Sequence, residues 1–253
     1  MNLKINGFKV FFTSMGEGKN LLVLPGWAHD HNVWLNFQNT LSREMKITVI
    51  DYPGFGDSQL NPKIKSLDDY ARFTEKVFAE LNLKDVTVLG HSFGGSVALK
   101  MLSLNPKLPV KKLILVDSSG IRRFHPKKLL GMILAKSGKM AFSLPLLKKW
   151  HEPMKKILYK RLGETDYLNA GPLKTVFTRI VNENLEGILD KITVPTFIIW
   201  GRKDNITPMS LAKVLNQKIK NSQLEIVENA GHFPFLDRPE EFNLLVKKIL
   251  KEN

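Results

Sequence analysis

The sequence contains no cysteine. That absence excludes disulfide staples, thiolate metal sites and a cysteine nucleophile, and it agrees with a reducing compartment. Long apolar runs are missing too. Outside the strand-like segments the richest is Leu129 to Ala135, far short of the roughly 20 residues that span a bilayer. The opening residues Met1 to Gly7 hold neither an apolar signal core nor a small-residue cleavage site. A cytoplasmic protein with no membrane span is predicted. No internal repeat or low-complexity linker interrupts the chain.

Acidic residues are scarce relative to basic ones: 24 Asp and Glu face 38 Lys and Arg, a formal charge of +14. Much of the excess lies between Ile121 and Leu189, where fourteen basic residues oppose five acids. The lysines come mostly in pairs, as at Lys127-Lys128, Lys148-Lys149 and Lys155-Lys156, and alternate with apolar residues at helical spacing. That is the pattern of solvated faces on amphipathic helices. Such a bias acts on solubility and encounter rather than on fold, and no nucleic-acid partner is expected from it.

What is present is the composition of an ordinary globular chain: 253 residues, 43% hydrophobic and 25% charged. Two short strand-like runs, Lys4-Ile5 and Lys9 to Thr13, flank Asn6-Gly7, a strong two-residue hairpin signal. Six nearly continuous apolar runs follow: Leu21 to Leu24, Ile47 to Ile50, Val86 to Leu89, Leu113 to Val116, Thr196 to Trp200 and Leu224 to Val227. Parallel strands buried on both faces read this way. Helical patterns fall between and after them, at Val33 to Leu41, Leu67 to Leu81, Ser96 to Leu104, Leu211 to Ile219 and Glu240 to Leu250. The alternation predicts an α/β fold with a mostly parallel, doubly wound sheet. It breaks once. Residues 121–189 show only helical periodicity, clearest at Leu173, Val176, Phe177, Ile180 and Val181. A helical cap inserted after the sixth strand is expected there, with 1–120 and 190–253 forming the core domain.

The run Val86 to Leu89 passes into Gly90-His91-Ser92-Phe93-Gly94-Gly95-Ser96 and then a helix. G-x-S-x-G is a short pattern, and its context gives it weight. On a sharp strand-to-helix turn the serine is forced into strained backbone angles, and its hydroxyl is lifted to a helix N-terminus. There the positive end of the helix dipole favours a developing oxyanion. A serine hydroxyl needs a base, and six histidines are available. His91, beside the serine, reads as structural. His29 and His31 follow the first core strand, and His125 and His151 fall in the expected cap. His232 lies in a loop just after Leu224 to Val227, where α/β sheets place functional groups. An acid must orient that base. Asp204 and Asp117 both follow core strands, and Asp117 could equally cap a turn.

The segments Leu24-Pro25-Gly26-Trp27, Asp51-Tyr52-Pro53-Gly54-Phe55-Gly56-Asp57-Ser58, Gly90-His91-Ser92-Phe93-Gly94-Gly95, Gly201-Arg202-Lys203-Asp204 and Gly231-His232-Phe233-Pro234 occur in this order. Together they resemble the α/β-hydrolase superfamily, in its branch of small esterases, over residues 1–120 and 190–253. The resemblance implies the chain order Ser, Asp, His and therefore selects Asp204 over Asp117. It implies a triad of Ser92, Asp204 and His232, and an oxyanion hole from the backbone N–H groups of Trp27 and Phe93. Where many relatives read His-Gly, this chain reads Pro25-Gly26, which bears on the hydrogen bonding behind that loop. The elbow carries Ser92 rather than aspartate, which disfavours epoxide hydrolase and dehalogenase chemistry.

The expected function is hydrolysis of carboxylic esters with an apolar acyl or alcohol part through an acyl-enzyme, with no metal or organic cofactor. The same triad serves carbon–carbon bond hydrolases, lactonases, thioesterases and perhydrolases, and the fold also hosts non-catalytic receptors. Apolar residues from Leu129 to Trp150, including Met132, Met140 and Phe142, could line a lid or merely seat the cap. Similarity to the pimeloyl-carrier methyl-ester esterases implies one further partner, an acidic acyl-carrier protein meeting the basic cap face.

Overall fold

The computed structural model describes residues 1–122 and 170–252. Its contacts divide the chain into two units, Met1–Arg122 with Arg179–Asn253, and Arg123–Thr178. The first unit is built on one eight-stranded sheet in the order β1-β2-β4-β3-β5-β6-β7-β8. The strands are β1 (Asn2–Ile5), β2 (Phe8–Met15), β3 (Asn20–Leu24), β4 (Lys46–Ile50), β5 (Val86–His91), β6 (Val110–Val116), β7 (Thr196–Gly201) and β8 (Ser222–Val227). All pairings from β4 to β8 are parallel, and β1–β2 and β2–β4 are antiparallel.

The hairpin forms where the sequence signals it. Asn6 and Gly7 take φ values of 53° and 87° between the paired residues Ile5 and Phe8, as a two-residue turn with both central residues left-handed requires. The inner strands are apolar on both sides because both faces are covered. Leu21, Val23, Ile47, Val49, Leu89, Ile114, Val116, Phe197 and Ile199 join one buried cluster. To it α1 (Leu35–Leu41) contributes Phe37 and Leu41, and the C-terminal helix contributes Phe242, Val246 and Ile249. The alternate residues, among them Leu22, Leu24, Val88, Leu115, Ile198 and Trp200, are equally buried. The remaining helices of this unit are α2 (Leu67–Glu80), α3 (Phe93–Leu104), α5 (Met209–Lys218), the single turn α6 (Pro234–Asp237) and α7 (Pro239–Lys251). Strand β8 is only partly buried along most of its length, since it closes the sheet at an edge.

The expected insertion at 121–189, with its basic face and the apolar series from Leu129 to Trp150, falls mostly on 123–169, outside the described residues. The chain leaves and rejoins the first unit at one place. Leu185 N–H donates to the Gly120 carbonyl at 2.7 Å and Arg122 N–H to Asn184 Oδ1 at 3.2 Å. A 3₁₀ turn, Gly171–Leu173, runs into α4 (Lys174–Asn182), which crosses the boundary between the units. Of the stripe read there, Leu173, Val176 and Ile180 are buried and Val181 is exposed.

Candidate active site

Strands β5, β6, β7 and β8 are successive neighbours in the sheet, so the residues just beyond their carboxyl ends line one edge. Those residues include Ser92, Asp117, Asp204 and His232. Sheet order reverses at β3 and β5, which lie side by side although β4 separates them in the chain. Open α/β sheets bind ligands outside the strand ends at such a reversal, and Trp27 and Ser92 flank it here.

Ser92 follows β5 with φ 50° and ψ −114°, a conformation that side chains adopt only when the surroundings hold them there. Its N–H donates to the Val116 carbonyl at 3.0 Å, and its own carbonyl accepts from Gly95 and Ser119, each at 3.0 Å. The turn is closed so tightly that a Cβ on Gly90 would sit 2.6 Å from the Gly94 carbonyl oxygen. One on Gly94 would overlap the Leu24 carbonyl at the end of β3. The two motif glycines therefore permit close approach within the elbow and between the elbow and β3. Helix α3 begins at Phe93, three residues before the helical pattern becomes visible, because Gly94 and Gly95 are weak helix formers. That places the Phe93 amide among the helix N-terminal donors that have no partner within the helix.

Trp27 follows β3 in the loop packed on that helix start. Its ring is buried and meets the Phe93 ring edge-on, with centroids 5.3 Å apart. It meets Phe55 in the same manner at 4.9 Å. The two expected oxyanion donors thus stand on neighbouring turns.

Asp204 and His232 come together across adjacent loops. His232 Nδ1–H donates to Asp204 Oδ2 at 2.8 Å, and both residues are buried. This bond fixes the tautomer and leaves a lone pair on Nε2. The loops are pressed together because a Cβ on Gly201 would overlap the Gly231 carbonyl. Asp204 is well supplied with donors. Oδ1 accepts from the Ile206 and Thr207 amides at 2.7 and 2.9 Å, and Oδ2 also accepts from the Thr207 hydroxyl at 2.5 Å. Burial pushes the Asp204 carboxyl up, but the bonds from His232 and its other neighbours outweigh burial and hold it below the usual carboxylate value.

His91 is buried, with Nε2 2.8 Å from the backbone carbonyl of His232. A carbonyl only accepts, so His91 carries its proton on Nε2. Burial, then the neighbouring His232, holds its pKa well below the ordinary histidine value, and the ring stays neutral. Trp34, Phe233 and Phe235 pack around it.

Two groups among the described residues have His and Asp ligand atoms within 4.8 Å of one another: His31 with Asp51 and Asp57, and Asp117 with Asp204 and His232. In the first, Asp51 already accepts from the His31 amide, His31 Nδ1 and the Asp57 amide. In the second, Asp204 is engaged as described. The central carboxylates of the two groups, Asp51 and Asp204, are thus held by protein donors.

The sequence pattern of the Alpha/beta hydrolase family matches residues 21–243. The chain belongs to that family. It is 28% identical to the monoacylglycerol lipase ABHD6 of Mus musculus over 93% of this chain and 76% of that one. It is 27% identical to the AB hydrolase superfamily protein YisY of Bacillus subtilis, covering 94% and 93%. Among solved structures, an esterase from Exiguobacterium antarcticum superposes with a TM-score of 0.77 at 27% identity, covering 98% of this chain and 97% of that one.

Of three further contributors at this α/β-hydrolase site, only Thr207 was not singled out by the sequence; for His91 and Asp117 the fold supplies the contacts. His91 props the His232 loop although it neighbours Ser92 in the chain. Thr207 bonds Asp204 and lies 3.2 Å from His232 Nδ1. Asp117, set aside in favour of Asp204, stands beside it. Only the strand order could have signalled that last proximity.

Proposed function

We propose that this hydrolase cleaves carboxylic esters with an apolar acyl or alcohol part, through an acyl-enzyme on Ser92. The observation that carries the reading is the Asp204–His232 bond at 2.8 Å, with the same histidine loop tied to His91, the residue before Ser92. In the proposed reaction, His232 Nε2 takes the Ser92 hydroxyl proton as Oγ attacks the ester carbonyl. The Trp27 and Phe93 amides hold the resulting oxyanion, a contribution of about 3–4 kcal/mol per donor. Collapse of the intermediate expels the alcohol, which takes the proton from His232. Water, activated by the same nitrogen, then releases the acid. Asp204 stabilises the imidazolium throughout.

An apolar substrate is supported by the aromatic surroundings of the elbow, Trp27, Phe55 and Phe93. The similarity to an esterase and to a monoacylglycerol lipase points the same way. The test is a panel of esters with acyl chains of graded length, run beside a dienone with a scissile carbon–carbon bond. Turnover of the esters with a chain-length optimum is expected. Turnover of the dienone alone would replace the reading with carbon–carbon hydrolysis.

A further inference from the structure

Asp117 has no part in the mechanism above, yet it lies against the groups that do. It follows β6 with φ 42° and is fully buried. Oδ1 accepts the Gly201 amide at 2.9 Å. Oδ2 is sealed from solvent, and no donor among the described residues reaches it. A second carboxylate is close by: one ligand atom each of Asp117, Asp204 and His232 lies within 4.8 Å of the others.

Double ionisation of two buried carboxylates so close is disfavoured, because each raises the cost of ionising the other. The donors decide which one is charged. Asp204 accepts from His232, Thr207 and two backbone amides, whereas Asp117 has one amide for two oxygens. An ionised Asp117 would leave Oδ2 a buried acceptor without a donor among the described residues. A proton on Oδ2 makes the same atom a donor.

We propose that Asp117 is held as a neutral carboxylic acid that donates its Oδ2–H to the Asp204 carboxylate and so acts as a positioning residue for the Asp204–His232 pair. The two acids then share a single negative charge, and Asp204 keeps its orientation towards His232 Nδ1. Any effect on turnover rests on the function proposed above; the protonation itself does not. Burial, then the bond to and the charge of Asp204, pushes the Asp117 carboxyl up to about 10, with the Gly201 amide opposing. The charged or titratable groups facing this pair are His232 beyond β8, Asp237 of α6, and His91 at the end of β5.

The test is infrared difference spectroscopy of the full chain at about pH 8, where ordinary carboxyl groups are ionised. A protonated-carboxyl C=O band is expected in the wild type and absent from Asp117→Asn. Should that variant not fold, Asp117→Ser, which keeps a hydroxyl donor, serves as the comparison. Where esters are turned over, Asp117→Asn should exceed Asp117→Ala in kcat by about tenfold at similar KM, since its amide keeps a donor to Asp204. A wild-type spectrum without the band, or a band that survives in both Asn and Ser variants, would overturn the proposal. Without any ester turnover the spectrum still reports the proton on Asp117, so failure of the functional reading is seen separately.

Discussion

His91 Nε2–H donates to the backbone carbonyl of His232 at 2.8 Å, joining the last residue of β5 to the loop beyond β8. The bond is buried, so its loss leaves a carbonyl without a partner. His91→Phe keeps the aromatic packing on Trp34 and Phe235 and removes only the donor. It is expected to cost about 1–3 kcal/mol in urea unfolding. It should also lower kcat more than it raises KM, because the loop it releases carries the proposed base. Unchanged stability and kcat would show that aromatic packing alone holds the His232 loop.

Gly94 and Gly187 differ in the room they leave. A Cβ on Gly94 meets the Leu24 carbonyl, which is backbone and cannot step aside, whereas nothing lies within 4 Å of a Cβ on Gly187. Gly94→Ala should therefore destabilise by at least about 3 kcal/mol or prevent folding. Gly187→Ala should be neutral or stabilising by about 0.5–1 kcal/mol, through the reduced entropy of the unfolded chain. Denaturant midpoints of the two variants check the contrast.

Asp117 and Asp204 make opposite contributions to stability with pH. The Asp204 carboxyl is depressed in the fold. Its contribution is complete above the unfolded value of about 3.9 and is lost as pH falls through the folded value. The Asp117 carboxyl is raised to about 10. Its contribution is complete below about 3.9 and is lost as pH rises towards that value. The Tm deficit of Asp204→Asn relative to wild type should thus shrink from about pH 5 to about pH 2. Asp117→Asn should gain on wild type from about pH 5 to about pH 9, with a ceiling of about 1.4 kcal/mol per pH unit. A pH-independent gap in either variant would mean that the carboxyl titrates alike in both states.

Much of this was legible in the chain. The elbow could be read because a buried strand, a serine between glycines and a helix occur without interruption. The hairpin could be read because Asn-Gly supplies two left-handed residues at no steric penalty beyond that of Asn. The start of α3 could not, since Gly94 and Gly95 are chosen for close packing and carry no helical signature. The place of His91 also depends on the fold. Its ring lies on the sheet face shared with Trp34 and Phe235, and the β8 loop closes over that face. Asp117 and Asp204 are 87 positions apart, and only the pairing of β6 with β7 in parallel register brings their strand ends side by side.

Acylation of Ser92 is read out by burst kinetics with p-nitrophenyl esters. The wild type should release p-nitrophenol in a burst equal to the enzyme concentration, followed by slower turnover. Ser92→Ala should lose the burst and fall in kcat by on the order of 10⁴–10⁶-fold. A burst of the same size in Ser92→Ala, or undiminished turnover in that variant, would rule out Ser92 as the acylated residue.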